Sequence, residues 1–193
     1  KLITKTIVST DSNKYAEIAR KHGGEVPFIR PKKYSGSTSQ DIDFMHHALI
    51  NCEKIYQLKF QIIILLRVTS PVRPKDIIER GIKMITDDPS ASSLRAVTIS
   101  YQHPYRHFTL NGQYIEGYET GVYESYNLPR QSWPKSYYSA GDLEIVRRET
   151  LLGGSVSGKK IIPLILNDDD VVDIDSHKDW KIAESKFKKR LEI

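Results

Sequence analysis

The segment Gln61–Leu66, in which Ile62 to Leu66 are all apolar, constrains the fold more than any other stretch of this chain. A run with no polar face implies a strand covered on both sides, the pattern of a central strand in a parallel sheet. Thr69, Ser70 and Pro71 follow it, and Pro74 suits the first turn of a helix carrying Ile77, Ile78, Ile82 and Ile85. Upstream, Lys5–Thr10 reads as a buried strand. Asp11 or Ser12 then caps a helix with Tyr15, Ile18, Ala19 and His22 on one face, and Gly23-Gly24 stops it. Val26, Phe28 and Ile29 predict a short strand, and Lys32 to Gln40 a polar loop. The spacing of Ile42, Met45, Leu49, Cys52 and Tyr56 predicts a helix over 41–56. Leu94 to Ser100 is the next strand. Strand and helix thus alternate, which implies an α/β fold: three layers, α/β/α, around a mostly parallel sheet.

The middle of the chain departs from this rhythm. Phe108-Thr109-Leu110 and Gln113-Tyr114-Ile115 flank Asn111-Gly112, a strong hairpin signal. Most of the 11 tyrosines lie between Tyr101 and Tyr138. Residues 101–140 read as a β-rich excursion, a lid or a dimer arm, within a single domain spanning 1–193. Ile161–Leu166 and Val171–Ile174 are strand-like. Ser176 with Asp179 forms a capping box for a last helix whose apolar stripe is Trp180, Ala183 and Phe187.

Composition narrows the function. Of 193 residues, 29 are Lys or Arg and 24 are Asp or Glu, so the formal charge is +5, a balance that favours anionic ligands. The cations are scattered apart from Lys186–Arg190, and aromatics do not alternate with them as in a base-stacking platform, which argues against nucleic acid. No apolar run reaches the roughly 18 residues of a membrane span. One cysteine, Cys52, neither closes an internal disulfide nor builds a thiolate metal cage, so the cytoplasm is the expected compartment.

Three groups of residues suit chemistry. Asp173-Ile174-Asp175, read as a strand, places two carboxylates on one face, a hard-oxygen pair suited to Mg²⁺ that shares its shell with phosphates. Asp168-Asp169-Asp170 reads as a solvated loop. Thr69-Ser70-Pro71-Val72-Arg73 follows the most apolar strand, at the edge where open α/β sheets bind ligands, and its hydroxyls and Arg suit phosphate or carboxylate. Arg130-Gln131, with Tyr137, Tyr138 and Gly141, could hold a carboxylate and sugar hydroxyls. The histidines have no metal spacing, and no Walker-type glycine loop is present.

In order along the chain, Ile7-Val8-Ser9-Thr10-Asp11, Val26-Pro27-Phe28-Ile29-Arg30-Pro31, His47-Ala48-Leu49, Leu66–Arg73, Asn127–Gln131 with Pro134, and Val172–Asp175 with Asp179 and Ala183-Glu184 resemble the motifs of one family. It is the acylneuraminate cytidylyltransferases: the CMP-sialic acid synthetases and their legionaminic and pseudaminic relatives. The resemblance implies a nucleotide-diphospho-sugar transferase fold and a homodimer joined through the β-rich arm. It implies a reaction of CTP with an acidic nine-carbon sugar to give CMP-sugar and pyrophosphate. It places Arg30, Thr38 and Ser39 near the nucleotide, and Arg67, Thr69, Ser70, Arg130 and Gln131 near the sugar. Asp173 and Asp175 would be the catalytic metal ligands, with Mg²⁺ as cofactor. Arg67 stands where the family usually has Gln, and Ala140-Gly141-Asp142 where it has Asn-Gly-Ala. The family's opening phosphate-cradling loop has no counterpart before Lys1, so the chain is expected to be truncated or incompetent alone. Two other readings of the residues stay open: a nucleotide-sugar glycosyltransferase, and a degenerate binding domain.

Overall fold

The computed structural model describes residues 2–191, with side chains described to 189; Arg190 of the basic cluster lies beyond these side chains. Helix α1 (Asn13–Lys21) starts at Ser12, whose hydroxyl accepts from the Tyr15 amide at 3.3 Å. Helix α2 (Asp41–Tyr56) has the bounds its spacing implies and buries Met45, Leu49 and Cys52. Strand β1 (Ile62–Leu65), helix α3 (Ile77–Asp87) and strand β2 (Ser93–Ile99) follow. Strands β3 (Phe108–Asn111) and β4 (Tyr114–Gly117) form the hairpin, with Asn111 opposite Tyr114, so the turn is Gly112-Gln113, one residue later than the sequence suggests. Strand β5 (Tyr137–Arg147), helix α4 (Arg148–Leu152), strand β6 (Ile161–Ile165) and helix α5 (His177–Leu191) complete the order.

The main sheet has the order β1-β5-β2-β6. Strand β5 runs antiparallel to β1, with Ile62 opposite Arg147 and Leu65 opposite Glu144. The Arg147 amide donates to Ser92 and the Ser100 amide to Ser136, so β5 also runs against β2. The amides of Ser92 and Leu166 donate to Lys160 and Val97, which makes β2 and β6 parallel. Three strands therefore share one direction, the expected mainly parallel α/β sheet, and β5 opposes them.

Two sequence-based expectations need correction. The ladder order places β5 inside and β1 at its end, and β1 is only half-buried while Ala140–Val146 is buried without a break. Segments Lys5–Thr10, Val26–Ile29 and Val171–Ile174 are not strands. The first two meet through one parallel bridge, Ile7 with Glu25, and through the Arg30 amide donating to Thr10 at 2.8 Å. The third meets the Arg67–Pro74 turn through the Ile174 amide, which donates to Thr69 at 2.9 Å. One or two bonds per segment hold a loop against its neighbour but do not build a ladder.

The chain divides into two compact units. One comprises the chain up to Leu66, Lys75–Arg95 and Leu143–Ile162; the other comprises Arg67–Pro74, Ala96–Asp142 and the chain from Pro163. In the first, Val146 packs with Met45, Leu49 and Leu151 on one side of β5, while Leu143 and Ile145 meet α3 on the other. Helices thus cover both faces of the inner strand. Arg147 closes α3 by donating to the carbonyls of Ile85, Asp88 and Ala91. Arg148 makes a two-pronged bond to Glu53, at 2.7 and 2.9 Å, which ties α4 to α2 and holds the Glu53 carboxyl below the usual range. In the second unit, Val72, Val172 and Ala183 make a small core with Ile174. The capping box forms as expected: the Ser176 amide donates to Asp179 at 2.9 Å and the Asp179 amide to the Ser176 hydroxyl at 3.4 Å.

Gly81 of α3 is where the helix touches β5 most closely. A Cβ there would stand 2.7 Å from a Leu143 methyl and 2.8 Å from an Ile145 methyl. Gly81→Val should therefore destabilise the protein by about 2–3 kcal/mol through overpacking, despite the better helix propensity of a non-glycine residue. Thermal unfolding of the variant measures this directly.

Candidate active site

The second unit gathers much of what the sequence singled out. After β1 the chain turns through Arg67–Pro74. The Ser70 amide donates to the Arg67 carbonyl at 3.2 Å, and Ser70 is fully buried. Gly141, within β5, has φ +74, a left-handed conformation that favours glycine. A Cβ on Gly141 would lie 2.9 Å from Ser70 Oγ, 3.9 Å from Arg67 Cδ and 3.9 Å from Asp173 Oδ2. One glycine therefore lets three predicted site residues converge, and the bond from the Ile174 amide to Thr69 brings in a fourth.

The two aspartates arrive by a route the sequence did not indicate. Residues 172–175 are irregular, yet burial alternates: Val172 is buried, Ile174 half-buried, and Asp173 and Asp175 exposed. The apolar pair anchors the segment in the small core, and the carboxylates are left facing water. Among the described residues, no group of three or more His, Cys, Asp or Glu side chains could hold a metal. Two exposed carboxylates fit a hard cation that completes its shell with water and phosphate oxygens, and they do not fit a closed protein cage.

Arg73 was expected to face the ligand, and it faces inward. Its Nε donates to the Asp142 carbonyl at 2.8 Å and a terminal nitrogen donates to the Arg67 carbonyl. Tyr138, further along β5, points its hydroxyl at Asp168 at 3.5 Å; burial, then the Asp168 carboxylate, raises its pKa.

Arg130 and Gln131 are exposed, on a short 3₁₀ turn. Arg130 lines a recess of about 150 Å³ with Tyr101, His103, Trp133, Lys135 and Ser136. His103 stacks on Trp133 at 4.9 Å; its Nδ1 accepts from the Tyr105 amide, and its Nε2 bonds the Pro134 carbonyl at 2.8 Å. Those partners fix the ring as a wall of the recess.

The first unit holds the residues expected at the nucleotide. Arg30 lies with its guanidinium 5.1 Å from the Phe44 ring, and its Nε is buried without a hydrogen-bond partner. Ser39 accepts from the Gly36 amide at 3.0 Å and lines an open cleft of about 510 Å³ with Gln40, Asp41, Gly154 and Ser155. Thr38 is exposed. His47, which the sequence offered only as part of a motif, packs edge-on against Phe28 at 5.0 Å and tilted against Tyr34 at 5.4 Å. Burial, then the charges of Lys33 and Arg30, hold its pKa below the ordinary imidazole value.

No family model matches the sequence. The chain is 31% identical over 194 residues to the post-translational flagellin modification protein B of Campylobacter coli, an alignment covering 98% of this chain and 80% of that one. The chain belongs to the acylneuraminate, or CMP-nonulosonate, cytidylyltransferase family. It is also 28% identical to the CMP-N,N'-diacetyllegionaminic acid synthase of Campylobacter jejuni, across 95% of this chain and 77% of that one. The synthase of the same name from Legionella pneumophila is 26% identical, across 92% and 75%. Among solved structures, CMP:2-keto-3-deoxy-manno-octonic acid synthetase complexed with CTP superposes with a TM-score of 0.64 at 12% identity, covering 99% of this chain and 83% of that one. A 4-diphosphocytidyl-2C-methyl-D-erythritol synthase from Anaerococcus prevotii gives 0.55 at 10%, covering 92% and 77%. The fold of this family member is therefore that of cytidylyl-transferring enzymes. No described helix is long and apolar enough to cross a membrane.

His47 gives the fold a dependence on pH. Its pKa is lowered on folding, so the unfolded chain binds this proton more tightly than the folded protein. The contribution is intact above the unfolded value of about 6.5 and is lost as the pH falls below it. The wild type should lose thermal stability between pH 7.5 and 5.5, and His47→Gln should flatten that loss. Identical pH profiles would remove His47 from the account.

Proposed function

We propose that this protein is a cytidylyltransferase that joins CTP to an acidic nine-carbon α-keto sugar of the nonulosonic class, giving CMP-sugar and pyrophosphate. The observation that carries the reading is the convergence of Arg67, Ser70 and Asp173 at Gly141, in a chain whose relatives are named as legionaminic acid synthases. In the reaction the anomeric hydroxyl of the sugar attacks the α-phosphorus. A new P–O bond forms as the hydroxyl gives up its proton to solvent, the bond from the α-phosphorus to the bridging oxygen breaks, and pyrophosphate leaves with the electron pair. Such transfers depend on positioning and charge neutralisation.

Asp173 and Asp175 are the residues that would hold Mg²⁺, which when bound supplies positive charge against the phosphate oxygens. Arg67 and Thr69 offer donors to the sugar, the buried Ser70 serves it by holding the turn against Gly141, and Arg130 with Gln131 offers a planar guanidinium and an amide to its carboxylate and hydroxyls. Arg30, Thr38 and Ser39 serve the nucleotide. The β3–β4 hairpin supports a homodimer. Leu110 is 81% exposed, Tyr114 68% and Ile115 63%, a density of bare apolar surface that a second copy of the chain would cover. Leu110→Asp with Ile115→Asp should shift the sedimenting species from dimer to monomer. An unchanged species would assign the arm another role. The cytoplasm, where CTP is made, is the compartment this activity requires.

Pyrophosphate release from CTP across a panel of nonulosonic acids tests the reaction on the full-length protein; release of a nucleoside diphosphate would indicate glycosyl transfer instead. In that assay Asp173→Asn and Asp175→Asn should each lower kcat by about 100-fold or more. Arg130→Ala should raise the KM for the sugar well above any change in the KM for CTP. Wild-type rates in both aspartate variants would overturn the metal assignment.

A further inference from the structure

The hydrogen bonds of Arg73 run to the backbone on both sides of the site. Its Nε donates to the Asp142 carbonyl at 2.8 Å, at the residue directly after Gly141. A terminal nitrogen donates to the Arg67 carbonyl, which also receives the Ser70 amide at 3.2 Å. The guanidinium is thus a planar bridge between the turn and strand β5, spanning 69 residues of sequence. Burial disfavours its charge and the fully buried Asp142 favours it. At the other end of the bridge, Ser70 lies against Gly141 so closely that a Cβ would stand 2.9 Å from its hydroxyl oxygen.

We propose that Arg73 is a positioning residue: it holds the Arg67–Ser70 turn against Gly141–Asp142, and so sets where Arg67, Ser70 and Asp173 stand towards the acidic sugar. What these residues bind rests on the function proposed above; the bridge itself rests on the geometry alone. The chemistry suits arginine specifically. Its fork presents two donors to two carbonyls at fixed spacing, whereas a lysine ammonium is a point charge on a flexible stem. Arg73→Lys keeps the charge and loses the bridge, which leaves a buried carbonyl without its partner.

Two measurements on the full-length protein test this. The first needs no activity. Amide exchange of Ser70 and Ile174, whose bonds hold the turn together, should become roughly tenfold or more faster in Arg73→Lys and Arg73→Met, while the amides of α2 exchange as in the wild type. Unchanged exchange at Ser70 and Ile174 would overturn the proposal, and so would equal acceleration in α2, which would mean a general loss of stability. The second reads pyrophosphate release. Arg73→Lys should raise the KM for the sugar roughly tenfold while the KM for CTP changes less than about twofold, and added guanidinium ion should restore part of the activity of Arg73→Ala. An equal rise in both KM values, or no rescue, would overturn it. If the wild type releases no pyrophosphate with any acid of the panel, the proposed function fails, and the exchange measurement still decides the role of Arg73.

Discussion

Everything at the candidate site depends on how closely strand β5 can be approached at Gly141. A side chain there would do two things at once. It would make the left-handed backbone costly, by about 1–2 kcal/mol, and it would fill the space in which Ser70, Arg67 and Asp173 now meet. The first effect concerns stability, and the second concerns site geometry. They coincide at one residue because the strand is a surface on which the Arg67–Ser70 turn and Asp173 come together as well as a member of the sheet.

Strand β5 has a second character further along. From Leu143 to Arg147 it is an ordinary inner strand, with α2 and α4 packed on the Val146 face and α3 on the Leu143 and Ile145 face. Both arginines at its end serve structure: Arg147 satisfies the last carbonyls of α3, and Arg148 pairs with Glu53 of α2. Glu144, nearly buried, pairs with Arg95 across the sheet at 2.8 Å. A half-buried pair of this kind does little for net stability, because desolvation offsets the attraction, but it forms only in this register of β5 on β2. Register matters here since a slip of one residue would turn Gly141 away from Ser70.

Much of the fold was legible because local signals and tertiary packing agree. The spacing of Met45, Leu49 and Cys52 gave α2 its bounds, Ser12 and the Ser176–Asp179 box marked helix starts, and the Asn-Gly pair marked the hairpin. Strand β5 was not legible. Its Ala140-Gly141-Asp142 includes two poor strand formers, and the strand is inner through the unbroken burial of Ala140–Val146. The opposite error arose at Lys5–Thr10 and Val171–Ile174, where apolar content suggested strands and the chain makes scattered bonds but no ladder. For the site, residue type singled out Ser70 and Asp173, which the fold brings together at Gly141, while for Arg73 it left two roles open: an arginine after a strand reads equally well as a ligand or as a brace, and its two carbonyl partners favour the brace.

The charges follow the same division of labour. Arg73, Arg147 and Arg148 have their guanidinium groups committed to backbone carbonyls or to Glu53. Arg130 and Lys135, by contrast, are exposed around a recess walled by Trp133 and His103, with no acidic residue in its lining. A cation that braces the backbone cannot also follow a ligand, because moving it would leave carbonyls unpaired in a low-dielectric interior. A cation at a recess can, because water replaces whatever it releases. The formal +5 of the chain therefore overstates what is available to an anionic substrate. The positive charge open to solvent is concentrated where side chains stay hydrated, and the half-buried guanidinium groups act on the groups they hold in place.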